Sequence, residues 1–362
     1  MEELEYKYWF YTLDYLSHRE CERLLKEYHC IENIFQLSQG TIEQLPWLSK
    51  RAKSSLIHQR NPCRIIERIQ YVQEKGMGFV CITDKEYPQR LRYLKDKPKA
   101  LFYLGELPKE EKYAVAVIGA RDCSNYGKRL AEEIGDALAK GGVNVISGMA
   151  RGIDSYAQKK ALDMGGRSYG VLGCGVDVCY PKTNWCLYEQ LIEKGGILSE
   201  FLPGMPAKAI NFPQRNRIIS GISDAVVVVE AKRQSGTSIT VGYGLEQGKD
   251  IYAVPGRVDD SLSEGCNLLI SQGAYPVLSI EEMMRDMGIV EEKNLKFHKK
   301  MEIPLESRFK LVYDCLDFIP KSVVKLVEET GIDNLEEINQ ILFDLEIDDR
   351  IQQAGTGYYV RR

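Results

Sequence analysis

Apolar residues change their spacing twice along the chain. Over the first 75 residues they recur at three- and four-residue steps, as at Leu13 and Leu16 and then at Leu24, Leu25 and Tyr28, which predicts short helices. From residue 76 the pattern becomes short apolar bursts separated by amphipathic stretches. Strands are predicted at Ala114–Gly119, Val143–Ser147, Ser168–Leu172, Ile197–Ser199, Ala225–Glu230 and Ile251–Val254. Helices are predicted between them: one carrying Leu130, Ile134 and Leu138 on one face, then Ile153–Leu162, Trp185–Glu193, Gln214–Gly221 and Ser238–Gln247. Residues 289–304 read as a charged linker. Beyond it, helices are predicted at Glu306–Asp317, Lys321–Thr330 and Asn334–Asp348, and Arg350–Arg361 alternates like a hairpin around Gly355-Thr-Gly.

Buried strand runs joined by helices of about 10–12 residues indicate βαβ units, hence a parallel sheet covered on both faces. The predicted class is α/β, an extended Rossmann-like domain over residues 76–288. It is flanked by a small helical domain (1–75) and by a winged-helix-like domain (305–362), the latter read from two helices joined near Gly331 and followed by a small hairpin. The first domain is read as SAM- or helix-hairpin-helix-like, and within it Leu45–Leu56 looks like a helix-hairpin-helix. Its turn holds Trp47, Leu48 and Ser49 where a phosphate-binding version has glycines, so packing is the expected role.

Composition narrows the chemistry. The 362 residues are 44% hydrophobic and 28% charged, the balance of a globular protein of two or three domains. No apolar run approaches the roughly 20 residues that span a bilayer. The start Met-Glu-Glu-Leu-Glu has neither the basic opening nor the apolar stretch of a signal peptide, so a cytoplasmic location without membrane contact is expected. The ten cysteines form no C-x-x-C pair, and none has a histidine at zinc-ligand spacing, so no metal site is expected. The four histidines are His18, His29, His58 and His298. The middle of the chain therefore holds no Ser-His or Cys-His pair of its own.

Ligands of such a sheet bind beyond the carboxyl ends of its strands, and those turns are rich in glycine and arginine. They read Gly119-Ala-Arg121, Ser147-Gly148-Met-Ala-Arg151-Gly152, Gly173-Cys-Gly175 leading to Tyr180-Pro-Lys182, and Ser235-Gly236-Thr237. Free backbone N–H groups at a helix start, beside a guanidinium, make an anion cradle. The dinucleotide fingerprint G-x-G-x-x-G and the P-loop are both missing, so no nucleotide cofactor is expected. Met205–Gly221 carries Lys208, Arg215 and Arg217 with no acid, in a chain whose formal charge is −4. A Phe beside such cations suits single-stranded nucleic acid, with the ring of Phe212 on a base and the cations along the phosphates. The alternative is a core Phe212, with the arginines paired to Asp224 or Glu230.

These motifs resemble the DNA-processing protein A (DprA, also called Smf) family over nearly the whole length. The resemblance rests on Asp84-Lys-Glu-Tyr87-Pro88, Val117-Ile-Gly119-Ala-Arg121 with Ser124-x-Tyr126-Gly127, Ser147 to Asp154, Phe212-Pro-Gln-Arg-Asn-Arg217-Ile-Ile-Ser220, Ser235-Gly-Thr237 and Val254-Pro-Gly256, in that order. It implies a non-enzymatic protein that binds single-stranded DNA, protects it and helps load the RecA recombinase in natural transformation, as a homodimer through the Rossmann-like domain. It implies DNA contacts at Arg121, Phe212, Arg215 and Arg217, with Lys208 a looser match. Lys182 is added from its charge and place. Ser147, Gly148, Arg151, Gly236 and Thr237 complete the expected site from the anion-cradle turns.

Charge sets the last domain apart. Residues 301–362 hold 7 Lys and Arg against 13 Asp and Glu, and the predicted helix Asn334–Asp348 has no base. Phosphate binding needs cations. This domain is expected not to bind DNA by itself and to serve docking or spacing. The rival reading is a nucleotide phosphoribohydrolase-like enzyme of the lysine-decarboxylase-like group, which uses P-G-G-x-G-T-x-x-E. Here the glutamate position holds Thr240, so the proton-transfer carboxylate is missing.

Overall fold

The computed structural model describes residues 1–289, 307–348 and 350–361. The chain divides into two compact units, Met1–Val290 and Glu291–Arg362. Apart from Ile289, the segment expected as a linker lies outside the described residues.

The first unit opens with α1 (Glu3–Thr12), α2 (His18–Tyr28), α3 (Ile31–Gln36), α4 (Gln39–Glu43), α5 (Lys50–His58) and α6 (Pro62–Glu74). Ser17, Ser38, Ser49 and Asn61 start four of these helices by accepting a first-turn backbone N–H. Leu45, Leu48, Ala52 and Leu56 are all buried, so this element packs as its sequence suggests. Next come β1 (Gly78–Cys81), α7 (Gln89–Arg92) and β2 (Ala100–Gly105). Four consecutive aromatic residues of α1, Tyr8 to Tyr11, are buried, because the helix is enclosed by both its neighbours and the sheet. The Tyr8 ring lies 5.4 Å from Phe79 of β1 and 6.0 Å from Phe102 of β2, and Trp9 meets Phe35 edge-on at 4.8 Å. Lys7 Nζ reaches Asp84 Oδ1 at 2.9 Å. The boundary expected at residue 75 is thus no division between compact units, since these aromatic contacts fuse the helices to the sheet edge.

The alternating part follows as β3 (Ala114–Ile118), α8 (Asn125–Lys140), β4 (Asn144–Ser147), α9 (Ile153–Asp163), β5 (Ser168–Val171), α10 (Trp185–Lys194), β6 (Gly196–Ser199), α11 (Asn211–Gly221), β7 (Ala225–Val228), α12 (Gly236–Glu246), β8 (Asp250–Ala253), α13 (Glu264–Ser271), β9 (Tyr275–Pro276) and α14 (Ile280–Asp286). The strands form one sheet in the order β1-β2-β6-β5-β4-β3-β7-β8-β9. From β6 to β9 the sheet is parallel, whereas β2 pairs antiparallel with both β6 and β1. The fold is Rossmann-like, with an antiparallel edge that apolar texture alone does not reveal. Successive residues of β3 serve opposite faces. Val115 and Val117 pack with Ile134 and Leu138 of α8, and Ala116 and Ile118 belong to the core that holds Ile218 of α11. From β3 the chain winds outward through β4, β5 and β6, then returns to place β7 on the other side of β3. That reversal makes β3/β7 the topological switch point, where the crevice of an open α/β sheet forms.

The second unit contains α15 (Ser307–Cys315), β10 (Lys321–Ser322), α16 (Val323–Thr330), α17 (Leu335–Ile347), β11 (Ile351–Gly355) and β12 (Tyr358–Arg361). Its three strands run in the order β10-β12-β11, and Val312, Leu326, Ile338, Leu342 and Ile351 belong to a core of its own. Gly331 ends α16 in the left-handed region at φ 68°, which favours glycine. Among the described residues no helix is long and apolar enough to cross a membrane.

Candidate nucleic-acid interface

A cavity of about 630 Å³ opens at the β3/β7 switch point, and its lining includes Arg121, Asp154, Tyr180, Phe212, Lys232 and Thr237. Three turns converge there: Gly119–Asp122 after β3, the loop after β7, and the first turn of α11. The α11 helix starts at Asn211, three residues earlier than its sequence suggests, so Phe212 stands in a helix and not in a loop. Its ring packs over Gly173, where a Cβ would come within 2.9 Å of the ring. The same ring lies 5.4 Å from Tyr180 and 5.9 Å from the Arg121 guanidinium. Phe212 is half-buried, which fixes the ring at the cavity wall.

The floor on the β7 side is the start of α12. Ser235 precedes that helix without capping it, and its Oγ is buried with no hydrogen-bond partner among the described residues. The first-turn N–H groups of a helix are unsatisfied donors at the positive end of its dipole, suited to an anion. Gly236 is exposed with open space around it, and Thr237 is buried in the wall. Behind this turn, Glu230 is buried and accepts both the Ser124 backbone N–H (2.9 Å) and the Ser124 hydroxyl. Gly127 leaves room for that carboxylate, which a Cβ would fill. The end of β7 is thereby tied to the start of α8.

The expected cations separate into two groups. Arg121, Arg151, Lys182 and Lys208 are exposed. Arg151 pairs loosely with Asp122 at 3.3 Å, with both side chains in solvent. Arg215 and Arg217 are buried, at 6% and 5% exposure, so neither has the free guanidinium expected of a phosphate contact. Arg215 donates to the carbonyls of Gly148 (3.0 Å) and Val171. Burial lowers its pKa to about 10, against the opposing charge of Asp154. Arg217 holds Glu200 through two contacts of 2.9 and 2.6 Å, with Asp96 at 3.6 Å. Ion pairing of these arginines was the alternative reading of the sequence, but with other partners: Asp224 binds Arg90, and Glu230 binds Ser124.

Two further expected contacts are also inside. Ser147 is fully buried and donates to the Val117 carbonyl at 2.6 Å. The Gly148 N–H donates to Asp154 Oδ2 at 3.1 Å, and a Cβ at Gly148 would come within 2.7 Å of the Arg215 guanidinium. This glycine makes room for an arginine, not for a phosphate. Burial raises the pKa of Asp154, while Arg215 and hydrogen bonds from Ser147, Ala150 and Gly148 oppose the shift. Sequence reasoning passed over Lys232 and Arg233, both exposed and free of ion pairs among the described residues, although two adjacent cations just before Ser-Gly-Thr were a readable signal. It also left Tyr180 and Asn216 out of the cavity wall.

A family model described as DNA recombination-mediator protein A matches residues 78–288. The chain belongs to this family. Thr240, at the position that a glutamate holds in P-G-G-x-G-T-x-x-E, is buried in the cavity wall. Glu246 lies nine residues beyond Thr237, about 13 Å along α12. Protein Smf of Synechocystis is 34% identical over 273 residues, covering 74% of this chain and 69% of that protein. DNA processing protein DprA of Streptococcus pneumoniae is 38% identical over 234 residues, covering 63% and 83%. The solved structure of the S. pneumoniae protein superposes with a TM-score of 0.69 at 31% identity, covering 79% of this chain and 99% of that one. A structure of DNA processing protein A from Helicobacter pylori, whose subject is its single-stranded DNA binding mode, gives 0.53 at 27% identity and covers 58% and 95%. Among the described residues no cluster of His, Cys, Asp or Glu could hold a metal.

Proposed function

We propose that this protein binds single-stranded DNA at the β3/β7 cavity and delivers it to the RecA recombinase during DNA processing in transformation. The observation that carries the reading is the pair of exposed cations Arg121 and Lys232 in a cavity whose wall holds the Phe212 ring, with exposed Lys208 and Arg233 on the segments that carry Phe212 and Lys232. Arg121 and Lys232 line the cavity whose floor holds Gly236 and Thr237 of the first turn of α12. Cations around an aromatic ring track a phosphate backbone while the ring stacks on a base. The DNA-binding subject of the H. pylori structure supports the same assignment. Arg215 and Arg217 act as supports: they fix α11, and so Phe212, without touching the ligand. Lys182 and Arg151 extend the cationic edge.

Anisotropy of a labelled oligonucleotide tests this directly. Binding should be micromolar or tighter, prefer single strands to duplex, and weaken steeply with salt. Equal affinity for duplex, or indifference to salt, refutes it. The RecA step predicts faster RecA assembly on single-stranded DNA when the protein is added, read by light scattering, and no acceleration rejects that step alone. Homodimerisation through the Rossmann-like unit predicts a sedimentation mass of twice 41.2 kDa. The second unit is read as a winged-helix-like partner-docking module. Its α17 carries Glu336, Glu337, Asp344 and Glu346 with no base, so it is expected to leave DNA unbound in isolation.

A further inference from the structure

Trp185, the first residue of α10, is an exposed aromatic residue at 52% exposure. Its ring stacks on Tyr188 with centroids 5.5 Å apart and planes 21° apart. Tyr188 is itself buried and donates its hydroxyl proton to the Val176 carbonyl at 2.5 Å, so the support under Trp185 is fixed. The indole is therefore held on one face and open on the other. Tyr180, in the cavity wall against Phe212, lies five residues before it. Between them the chain makes a single 3-10 turn, Lys182–Asn184, which presents Lys182 to solvent. The Asn184 amide donates to the carbonyls of Met149 and Ala150 (3.0 and 3.3 Å), pinning this turn to the loop that carries Arg151. Glu189, one helical turn beyond Trp185, limits the cationic surface on that side.

We infer that Trp185 is a second base-stacking platform, over which single-stranded DNA passes after leaving the cavity, with Lys182 and Arg151 following its phosphates. A rigid aromatic face between exposed cations matches the surface that sequence-tolerant single-strand binders use. The inference rests on the cavity being a DNA site. It adds that the track extends beyond that cavity, in the direction of α10.

The test uses the full-length protein with oligothymidylates of about six and about twenty nucleotides, lengths bracketing a single-fold binding site. Only three tryptophans contribute to emission, and Trp9 is buried. The long strand should quench tryptophan emission in step with binding followed by label anisotropy, whereas the short one should bind without quenching. Trp185→Phe should lose the quenching while retaining more of the long-strand affinity than Trp185→Ala. Trp185→Ala should weaken the long strand on the order of tenfold and leave the short one unchanged. Unchanged affinity of Trp185→Ala for the long strand, or quenching that survives in Trp185→Phe, overturns the inference. So does a Trp185→Ala variant whose sedimentation mass changes while its DNA affinity does not, because the ring then belongs to a protein interface. Failure of the unaltered protein to bind either strand overturns the DNA reading of the cavity together with this one.

Discussion

Arg217 offers the sharpest test of which arginines touch DNA. Its guanidinium is almost completely buried and meets Glu200 through two hydrogen bonds, and the Glu200 side chain is only 12% exposed. Arg217→Ala leaves that carboxylate buried without its partner, a change that typically costs about 3–5 kcal/mol. With a urea dependence of about 3 kcal/mol per molar or more for a unit of this size, the unfolding midpoint should fall by about 1 M. Restoring neutrality by pairing Arg217→Met with Glu200→Leu should recover most of the loss, because replacing both members of a buried pair is far less costly than removing one. Acidity supplies an independent signature. Burial already raises the Glu200 pKa against the pull of Arg217, and removing Arg217 raises it further. A carboxyl whose folded pKa exceeds its unfolded value loses stability as pH rises through that interval. The deficit of Arg217→Ala should thus be largest at neutral pH and shrink on acidification. The assay is urea unfolding followed by circular dichroism at several pH values, with DNA anisotropy on the folded variant. An unchanged midpoint together with lost DNA binding would show that Arg217 reaches DNA, and would refute the structural role.

Arg121→Ala should weaken single-strand binding and reduce the slope of log affinity against log salt by about one phosphate's worth, with no change in the urea midpoint; an unaltered slope removes Arg121 from the track. Replacing Lys232 and Arg233 together by Ala should do the same more strongly, and unchanged affinity would show that the β7 side carries no DNA. Deleting residues 291–362 should keep most of the affinity, since the acidic unit has a core of its own; a large loss measured by gel shift would reverse the assignment. Asp84 is raised by burial, but hydrogen bonds from Cys81 and Lys7 outweigh this and hold its pKa below the ordinary carboxylate value. A depressed carboxylate stabilises the fold above its unfolded pKa and loses that contribution as pH falls through the folded one. The urea midpoint should accordingly drop on strong acidification, and Asp84→Asn should flatten that drop; parallel curves for the two proteins would count against it.

Much of the fold was legible because parallel strands buried on both faces leave continuous apolar runs. Ala114–Ile118 and Ala225–Val228 were recognisable for that reason. The antiparallel edge was not, since β1 and β2 share that texture while strand direction depends on pairing. The fusion of residues 1–74 to the sheet was hidden as well, because Tyr8 meets Phe79 and Phe102 only after folding. Motif order placed the glycine-rich turns after β3, β4, β5 and β7, where the structure has them. What sequence lacks is the direction in which a side chain points. Arg215 and Arg217 sit in the same cation-rich stretch as Lys208, yet they turn inward to two carbonyls and to Glu200, and the acids they face lie 61 and 17 residues away in sequence. Gly148 likewise looked like space for a phosphate, and the space belongs to Arg215.

The Glu230 clamp bears on how quickly the protein can capture its ligand. One buried carboxylate fastens the β7 exit to the Ser124 turn, so two of the turns around the cavity are held together before anything enters it. No ordering entropy is then spent on assembling the recess, and encounter needs no prior rearrangement of the backbone. On the proposed DNA reading, capture becomes a matter of diffusion and long-range attraction towards the exposed cations, in a protein whose total charge is negative. Ionic strength should therefore act mainly on the rate of association, and the lifetime of the complex should depend on the stacked rings.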